Sequence, residues 1–274
     1  MEEHPVNPSL AATKPDSASG ERFEKPERIV FTGYMGAGKS TIGRLLARAL
    51  GFTLLDTDHL LAHKYQMPVN KMFENHGEEF FRQAEQEMLL ELLTQPQRVI
   101  STGGGTLIRE ETLNPVIEAP ATVLIYLRAP IATLYERVIF SHKIRPLMNV
   151  PNCEALFYER FNARQAFYEK AHITVDTDRQ RPDTLLTELI EKLAAYYPGW
   201  DHKAQLALGK QLEQKRLAEL EAQRRLSLET QQQSASKPGP ITGRPASFRP
   251  AMPTQPYPDK PRFNEHGGRE QWHM

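Results

Sequence analysis

This 274-residue sequence has a single cysteine, no long apolar run and no net charge. Cys153 is its single cysteine, which excludes an internal disulfide framework and favours a reducing compartment. No apolar run approaches the roughly 20 residues that cross a bilayer, and the acidic N-terminus lacks the apolar stretch of a secretory signal. We therefore expect a cytoplasmic protein with no membrane association.

The charges also balance, with 34 basic and 34 acidic residues. A balanced chain creates no long-range field that would attract a polyanion. We expect no nucleic-acid partner.

Composition divides the chain into four segments. Residues 1–26 are rich in Pro, Ser, Ala and charge, which predicts a disordered arm. Residues 27–200 carry the pattern of a folded domain. Residues 201–233 have helix-forming composition but no apolar heptad, and Gly209 is expected to interrupt a solvated, partly frayed helix. Residues 234–274 are proline-rich and predicted to be disordered, so deleting residues 201–274 should cost little stability.

The sequence GYMGAGKS at residues 33–40 carries the strongest chemical signal. It fits G-x-x-x-x-G-K-[ST], in which main-chain N–H groups of a glycine-rich loop wrap the phosphates of a nucleotide. Lys39 would reach the β- and γ-phosphates, and Ser40 would bind Mg²⁺. An ordinary glycine-rich turn is the alternative, but a buried strand before the loop and an amphipathic helix after it favour nucleoside triphosphate binding.

Short apolar runs alternate with amphipathic stretches throughout the central segment. Strands are predicted at Arg28–Thr32, Thr53–Leu55, Arg98–Ser101, Val123–Leu127 and Ile173–Val175. Helices are predicted at Ser40–Leu50, His59–Lys64, Val69–His76, Glu78–Leu93, Ile131–Phe140, Cys153–Lys170 and Asp183–Ala195. This alternation indicates the α/β class, with a central parallel five-stranded sheet in the three-layer α/β/α arrangement of P-loop NTPases.

Two carboxylates follow the second predicted strand. Period-two alternation puts Asp56 and Asp58 on the same side, just past the strand's end. One could face a metal-bound water and the other an acceptor hydroxyl. The alternative is a solvated turn in which Asp58 caps the next helix, and the sequence alone does not decide between them.

Arg82 is a candidate for binding an anion. Glu85 lies three residues further along a predicted helix and can hold the Arg82 guanidinium in place. A fixed guanidinium suits bidentate binding of a substrate carboxylate. A surface ion pair is the alternative reading of the same pair. Arg164, on a later helix, is a second candidate for an anionic acceptor.

Two loops complete the pattern. Gly103, Gly104 and Gly105 follow a buried strand and would expose main-chain N–H groups to a ligand; a flexible turn is the alternative, but three glycines in a row are an entropic liability without such a role. Residues 141–148 have mixed charge and predict a mobile lid that carries Arg145 towards the phosphates.

Taken in order and at similar spacing, the motifs GYMGAGKST, DTD, FRQAE, STGGGT, IRPLM and RQAFYE resemble the shikimate kinases. The resemblance covers about residues 28–195, and both tails lie outside it. It implies phosphorylation of the shikimate 3-hydroxyl by ATP with Mg²⁺, a step towards chorismate and the aromatic amino acids. We expect a monomer.

The resemblance also implies roles for particular residues. ATP binding falls on Gly36, Ala37, Gly38, Lys39, Ser40, Thr41, Arg145 and Gln180. The metal falls on Ser40 and Asp56, and the catalytic group is Lys39, Asp58 and Arg145. Shikimate binding falls on Asp58, Arg82, Gly103, Gly104, Gly105 and Arg164. The helix before the lid is one residue longer than usual, so Arg137 receives no adenine-stacking role.

Two other functions remain open on the sequence. One is a related kinase acting on gluconate or a nucleoside monophosphate, which would not require Asp58, both arginines and the three glycines together. The other is a silent nucleotide-binding module, which would be free to lose Lys39 or Asp58.

Overall fold

A parallel sheet of five strands, in the order β2-β3-β1-β4-β5, forms the centre of the fold. The computed structural model describes residues 23–141 and 152–235. The strands are β1 (Arg28–Thr32), β2 (Thr53–Asp56), β3 (Arg98–Ser101), β4 (Thr122–Arg128) and β5 (Ile173–Asp176). All five predicted strands are confirmed to within one residue at either end.

Helices cover both faces of this sheet. They are α1 (Lys39–Leu50), α2 (Thr57–Lys64), α3 (Val69–Leu92), α4 (Glu110–Glu118), α5 (Ile131–Ile139), α6 (Cys153–Tyr168), α7 (Pro182–Tyr196) and α8 (His202–Ala235). The predicted three-layer α/β/α class is confirmed, because a parallel sheet needs crossover helices that bury both of its faces.

The side chains of strand β1 contribute to two hydrophobic cores, one on each face of the sheet. All five of its residues are buried, and alternate side chains point to opposite faces of the sheet. Ile29 and Phe31 join the core formed with α1, α5, α6 and α7. Val30 joins the core formed with α2, α3 and α4.

Glycine and proline mark the two places where the helices depart from a simple pattern. Gly77 (φ 81°, ψ 173°) is non-helical inside α3, so the predicted break between Val69–His76 and Glu78–Leu93 is correct. That conformation is essentially restricted to glycine. Helix α4 was not predicted, because Pro115 lies inside it and an internal proline usually argues against a helix.

Both ends of the predicted domain need correction. Phe23 packs against the core and Pro26 is buried, so packing on the domain begins before the predicted boundary at residue 27. Residues 1–22 and 236–274 lie outside the described residues. Helix α8 continues without a break through Gly209, which is buried. The expectation that Gly209 interrupts a solvated helix was therefore wrong.

The first turns of α8 contact the end of α1. Gln205 Nε2 donates to the Leu50 carbonyl at 2.6 Å, and Leu206 packs against the core. None of the helices in the described part of the chain has the length and apolar character to cross a membrane.

Candidate functional site

The loop between β1 and α1 has the backbone of a phosphate-binding loop. Gly36 and Gly38 have φ values of 85° and 94°, in the region where a Cβ is strained. Gly38 is the N-cap of α1 and makes no side-chain hydrogen bond to the helix end, and helix N-termini of this kind commonly bind anions through main-chain N–H groups. Lys39 Nζ donates to the carbonyls of Gly33 at 2.7 Å and Tyr34 at 3.2 Å, which holds the ammonium group along the loop.

Oxygen ligands for a divalent cation lie next to this loop. Ser40 Oγ donates to Asp56 Oδ2 at 2.8 Å and lies 3.3 Å from Ser101 Oγ. Asp56 ends β2 and caps α2, where its Oδ1 accepts from His59 N at 3.4 Å. The capping role considered for Asp58 therefore belongs to Asp56.

This arrangement fits Mg²⁺, which commonly binds through one or two carboxylates while substrate phosphates and waters fill its other positions. The hydroxyl of Ser40 and the carboxylate of Asp56 are hard oxygen donors. Over residues 23–141 and 152–235, no cluster of three His, Cys, Asp or Glu residues could hold a metal by itself. A Mg²⁺ ion here would depend on the nucleotide for most of its ligands.

Asp58 lies in the first turn of α2 and faces the glycine loop. A Cβ on Gly103 would lie 2.8 Å from Asp58 Oδ1, so a side chain at residue 103 would displace the carboxylate from its present position. Burial and the neighbouring Asp56 carboxylate raise the pKa of Asp58, while Lys39 opposes them. A raised pKa brings a carboxylate closer to the range in which it can accept a proton.

Arg82 is held on several sides. Its Nη1 pairs with Glu85 Oε2 at 2.5 Å and donates to the Gly105 carbonyl at 3.2 Å, and its Nη2 pairs with Glu78 at 3.1 Å. Glu85 is 2% exposed and also accepts from Thr106 Oγ1 at 2.6 Å. The Arg82–Glu85 pair is therefore a buried brace, which rules out the surface ion pair.

Three consecutive glycines bring the predicted residues together. Gly103 faces Asp58, and a Cβ on Gly105 would lie 2.9 Å from Arg82 Nη1. A Cβ on Gly104 would lie 3.5 Å from the main-chain nitrogen of Met35, in the phosphate loop. These side chains and the phosphate loop therefore border one space at the carboxyl ends of the strands, where open α/β sheets bind ligands.

Arg164 reaches the same loop from α6. Its Nη1 donates to the Gly104 carbonyl at 3.3 Å. Its guanidinium lies 5.8 Å from the centroid of the Tyr34 ring, which gives it a cation–π contact with the phosphate loop. Both candidate arginines thus bond to the carbonyls of adjacent glycines.

The contacts around the phosphate loop do not test two of the predicted ATP residues. Gln180 is exposed, and its side chain donates to Glu188 at 3.3 Å. Arg145 lies outside the described residues.

Arg137, to which the sequence analysis assigns no adenine-stacking role, links the residue after β5 to the phosphate loop. It donates to the Thr177 hydroxyl at 3.0 Å, to the Thr177 carbonyl at 2.5 Å and to the Gly36 carbonyl at 3.4 Å. The end of β5 is thereby tied to the phosphate loop. The sequence signal that could have indicated this role is a basic residue in the last turn of α5.

A parallel five-stranded sheet, a phosphate loop after β1 and an acceptor space lined by fixed charges define a P-loop kinase of small molecules. Residues 35–194 match the family model described as shikimate kinase. That match covers more than half of the 274 residues, and the chain belongs to the shikimate kinase family.

Curated relatives and a solved structure agree. The chain is 34% identical over 180 residues to the shikimate kinase of Nitrosomonas europaea, covering 65% of this chain and 84% of the relative. It is 37% identical over 182 residues to that of Chlorobium chlorochromatii, covering 63% and 94%. The fold matches shikimate kinase from Acinetobacter baumannii in complex with shikimate at a TM-score of 0.59 and 31% identity, covering 63% of this chain and 96% of that one.

Proposed function

We propose that this chain transfers the γ-phosphoryl group of ATP to the 3-hydroxyl of shikimate, giving ADP and 3-phosphoshikimate. The observation that carries the proposal is the loop Gly103–Gly105, whose neighbours are Asp58, Arg82 and Arg164. One carboxylate and two guanidinium groups surrounding a space beside the phosphate loop match an acceptor with hydroxyls and one carboxylate. The family to which the chain belongs, and the printed activity of its relatives, support the same reaction.

The two arginines bind the acceptor carboxylate in this proposal. Arg82 already has its guanidinium plane set by Glu85 and the Gly105 carbonyl, so little rotamer freedom is lost on binding. Arg164 approaches the same space from helix α6. Charge-assisted hydrogen bonds from two fixed guanidinium groups favour an anion over a neutral group at this position.

Asp58 orients the reacting hydroxyl and takes its proton. As the hydroxyl oxygen forms its bond to the γ-phosphorus, the bond from that phosphorus to the β,γ-bridging oxygen breaks and ADP leaves. The hydroxyl proton passes to Asp58, whose pKa is raised by burial and by Asp56. Such positioned proton transfer contributes on the order of 10²–10⁴ in rate.

The phosphate loop supplies the remaining charge stabilisation. Main-chain N–H groups from Gly36 to Thr41 and the Lys39 ammonium would hold the β- and γ-phosphates, where negative charge concentrates during transfer. Ser40 and Asp56 would hold Mg²⁺, which neutralises phosphate charge when bound.

The function is tested by steady-state ADP formation with shikimate, gluconate and a nucleoside monophosphate as acceptors. We expect turnover with shikimate alone, loss of turnover in Asp58→Asn, and wild-type turnover in Asp183→Asn, a matched carboxylate in the first turn of α7. Turnover with gluconate or the nucleotide instead would assign the chain to another acceptor. Absence of ADP with every acceptor would indicate a silent module. We also propose a monomer, which light scattering after size exclusion tests directly.

A further inference from the structure

The Gly104 carbonyl oxygen accepts two hydrogen bonds from α6. Tyr168 donates its hydroxyl at 2.5 Å, and Arg164, one turn earlier, donates Nη1 at 3.3 Å. The tyrosine bond is shorter by 0.8 Å on these two distances, so Tyr168 supplies the main constraint on the carbonyl. Tyr168 lies in the motif RQAFYE but has no part in the proposed chemistry so far.

Tyr168 is well fixed for this task. It is 1% exposed, and its ring lies 5.4 Å from the ring of Tyr126 on β4. Burial raises the pKa of the hydroxyl, which keeps it a donor throughout the neutral range. A rigid phenol that places one proton on one carbonyl is a directional constraint on the loop.

The hydrogen bond from Tyr168 to the Gly104 carbonyl also affects the orientation of the Arg164 side chain. The Gly104 carbonyl is partly buried, and without Tyr168 the Arg164 guanidinium would be its remaining donor among the protein contacts described. Arg164 would then turn further towards the main chain and away from the space beside Gly103–Gly105. With Tyr168 in place, the other N–H groups of Arg164 remain available to a ligand.

We propose that Tyr168 is a positioning residue for the acceptor: by fixing the Gly104 carbonyl, it sets the glycine loop and aims Arg164 at the acceptor carboxylate. Tyr168 makes no contact with the acceptor itself. This inference rests on the proposed shikimate kinase activity, and it predicts an effect confined to one of the two substrates.

The test is Tyr168→Phe, which keeps the ring and its contact with Tyr126 but removes the donor. We expect the KM for shikimate to rise about tenfold, within the range for loss of a bond to a buried group, with the KM for ATP and kcat within about twofold of wild type. Tyr197→Phe, which removes the hydroxyl of another largely buried tyrosine at the end of α7, should leave all three constants unchanged. Replacing Tyr168 by p-aminophenylalanine restores a donor at the same ring position and should recover most of the shikimate KM.

Two further measurements distinguish a changed orientation of Arg164 from a general loss of structure. In the Tyr168→Phe, Arg164→Ala double variant, the effects on shikimate KM should be less than additive, because Tyr168 acts through Arg164. Thermal melts with and without shikimate, and with and without ATP, report each ligand's binding to the folded variant. We expect only the shikimate-induced shift to shrink.

Failure of this inference is distinguishable from failure of the proposed function. If wild-type protein does not phosphorylate shikimate, both are wrong. If wild type is active but Tyr168→Phe leaves the shikimate KM unchanged, or raises both substrates' KM together, the positioning role alone is overturned. Full additivity with Arg164→Ala would also overturn it.

Discussion

Gly209 of α8 lies directly against Ala49 at the end of α1: a Cβ on Gly209 would come within 2.1 Å of the Ala49 carbonyl oxygen. Residue 209 is therefore a contact point and not a break in the helix. Since α1 starts at the phosphate loop, α8 supports the helix on which nucleotide binding depends. The family match ends at residue 194, before α8 begins.

Substituting Gly209 by alanine should destabilise the protein although alanine favours helix. The propensity gain is about 1 kcal/mol, but a Cβ at 2.1 Å from backbone forces the helices apart, and overpacking of this kind costs about 1–3 kcal/mol. We expect the melting temperature to fall by a few degrees, roughly 2–4 °C per kcal/mol. The reverse change at the exposed residue Ala207, Ala207→Gly, is the control for helix propensity, and a higher melting temperature in Gly209→Ala would contradict the packing.

Removing residues 201–274 should lower stability, in contrast to the expectation from sequence. The cut loses the Gln205 bond to the Leu50 carbonyl and the contact of Leu206 with the core. Together these are worth about 2–3 kcal/mol, so melting should fall by about 5–10 °C. A chain ending at Ala235 keeps the whole helix and should melt close to the full chain; equal melting of all three would show that α8 adds no stability.

Asp58→Asn should separate activity from stability. Turnover should fall by about 10²–10⁴, while ATP binding, measured by titration, stays close to wild type. Because the pKa of Asp58 is raised in the folded state, its charged form costs stability as pH rises through that pKa, so the variant should melt higher than wild type at pH 7. Wild-type turnover of Asp58→Asn would remove Asp58 from the mechanism.

The same raised pKa predicts the pH profile. Asp58 accepts a proton only when ionised, so kcat/KM should decline as pH falls through its pKa, at a higher pH than for an ordinary aspartate. A value of kcat/KM that stays constant down to pH 4 would contradict the assignment of Asp58 as the base.

Arg82→Lys and Arg164→Lys should raise the KM for shikimate about tenfold or more and leave the KM for ATP nearly unchanged. Lysine keeps the charge but loses the bidentate fork. Lysine is preferable to alanine at residue 82, because removing the charge would leave Glu85 buried and unpaired. An acceptor analogue without the carboxylate should be insensitive to both changes, and parallel rises in both KM values would place the effect on folding instead.

Local patterns were enough to predict the sheet and the motifs around it. The strands are short apolar runs flanked by turns, and Gly33–Ser40 is a contiguous signal, so both could be located without tertiary information. Asp56 and Asp58 were found as a pair, but which of them caps α2 depends on a turn geometry that alternation does not encode.

Contacts between distant segments were harder to predict. Tyr168 and Gly104 are 64 residues apart, and Arg137 and Gly36 are 101 apart, so neither bond leaves a local trace. Gly209 was misread because a glycine in a polar helix has the same local pattern whether it interrupts the helix or packs against another one.

The central claim is phosphoryl transfer from ATP to shikimate, and ³¹P NMR of the complete reaction tests it most directly. With the full chain, ATP, Mg²⁺ and shikimate, we predict that the γ-phosphate resonance is replaced by a phosphate monoester coupled to the proton on C3 of shikimate, together with ADP. Asp58→Asn should leave the spectrum unchanged over the same time. Release of inorganic phosphate without the ester, or an unchanged ATP spectrum with the wild-type chain, would contradict the account.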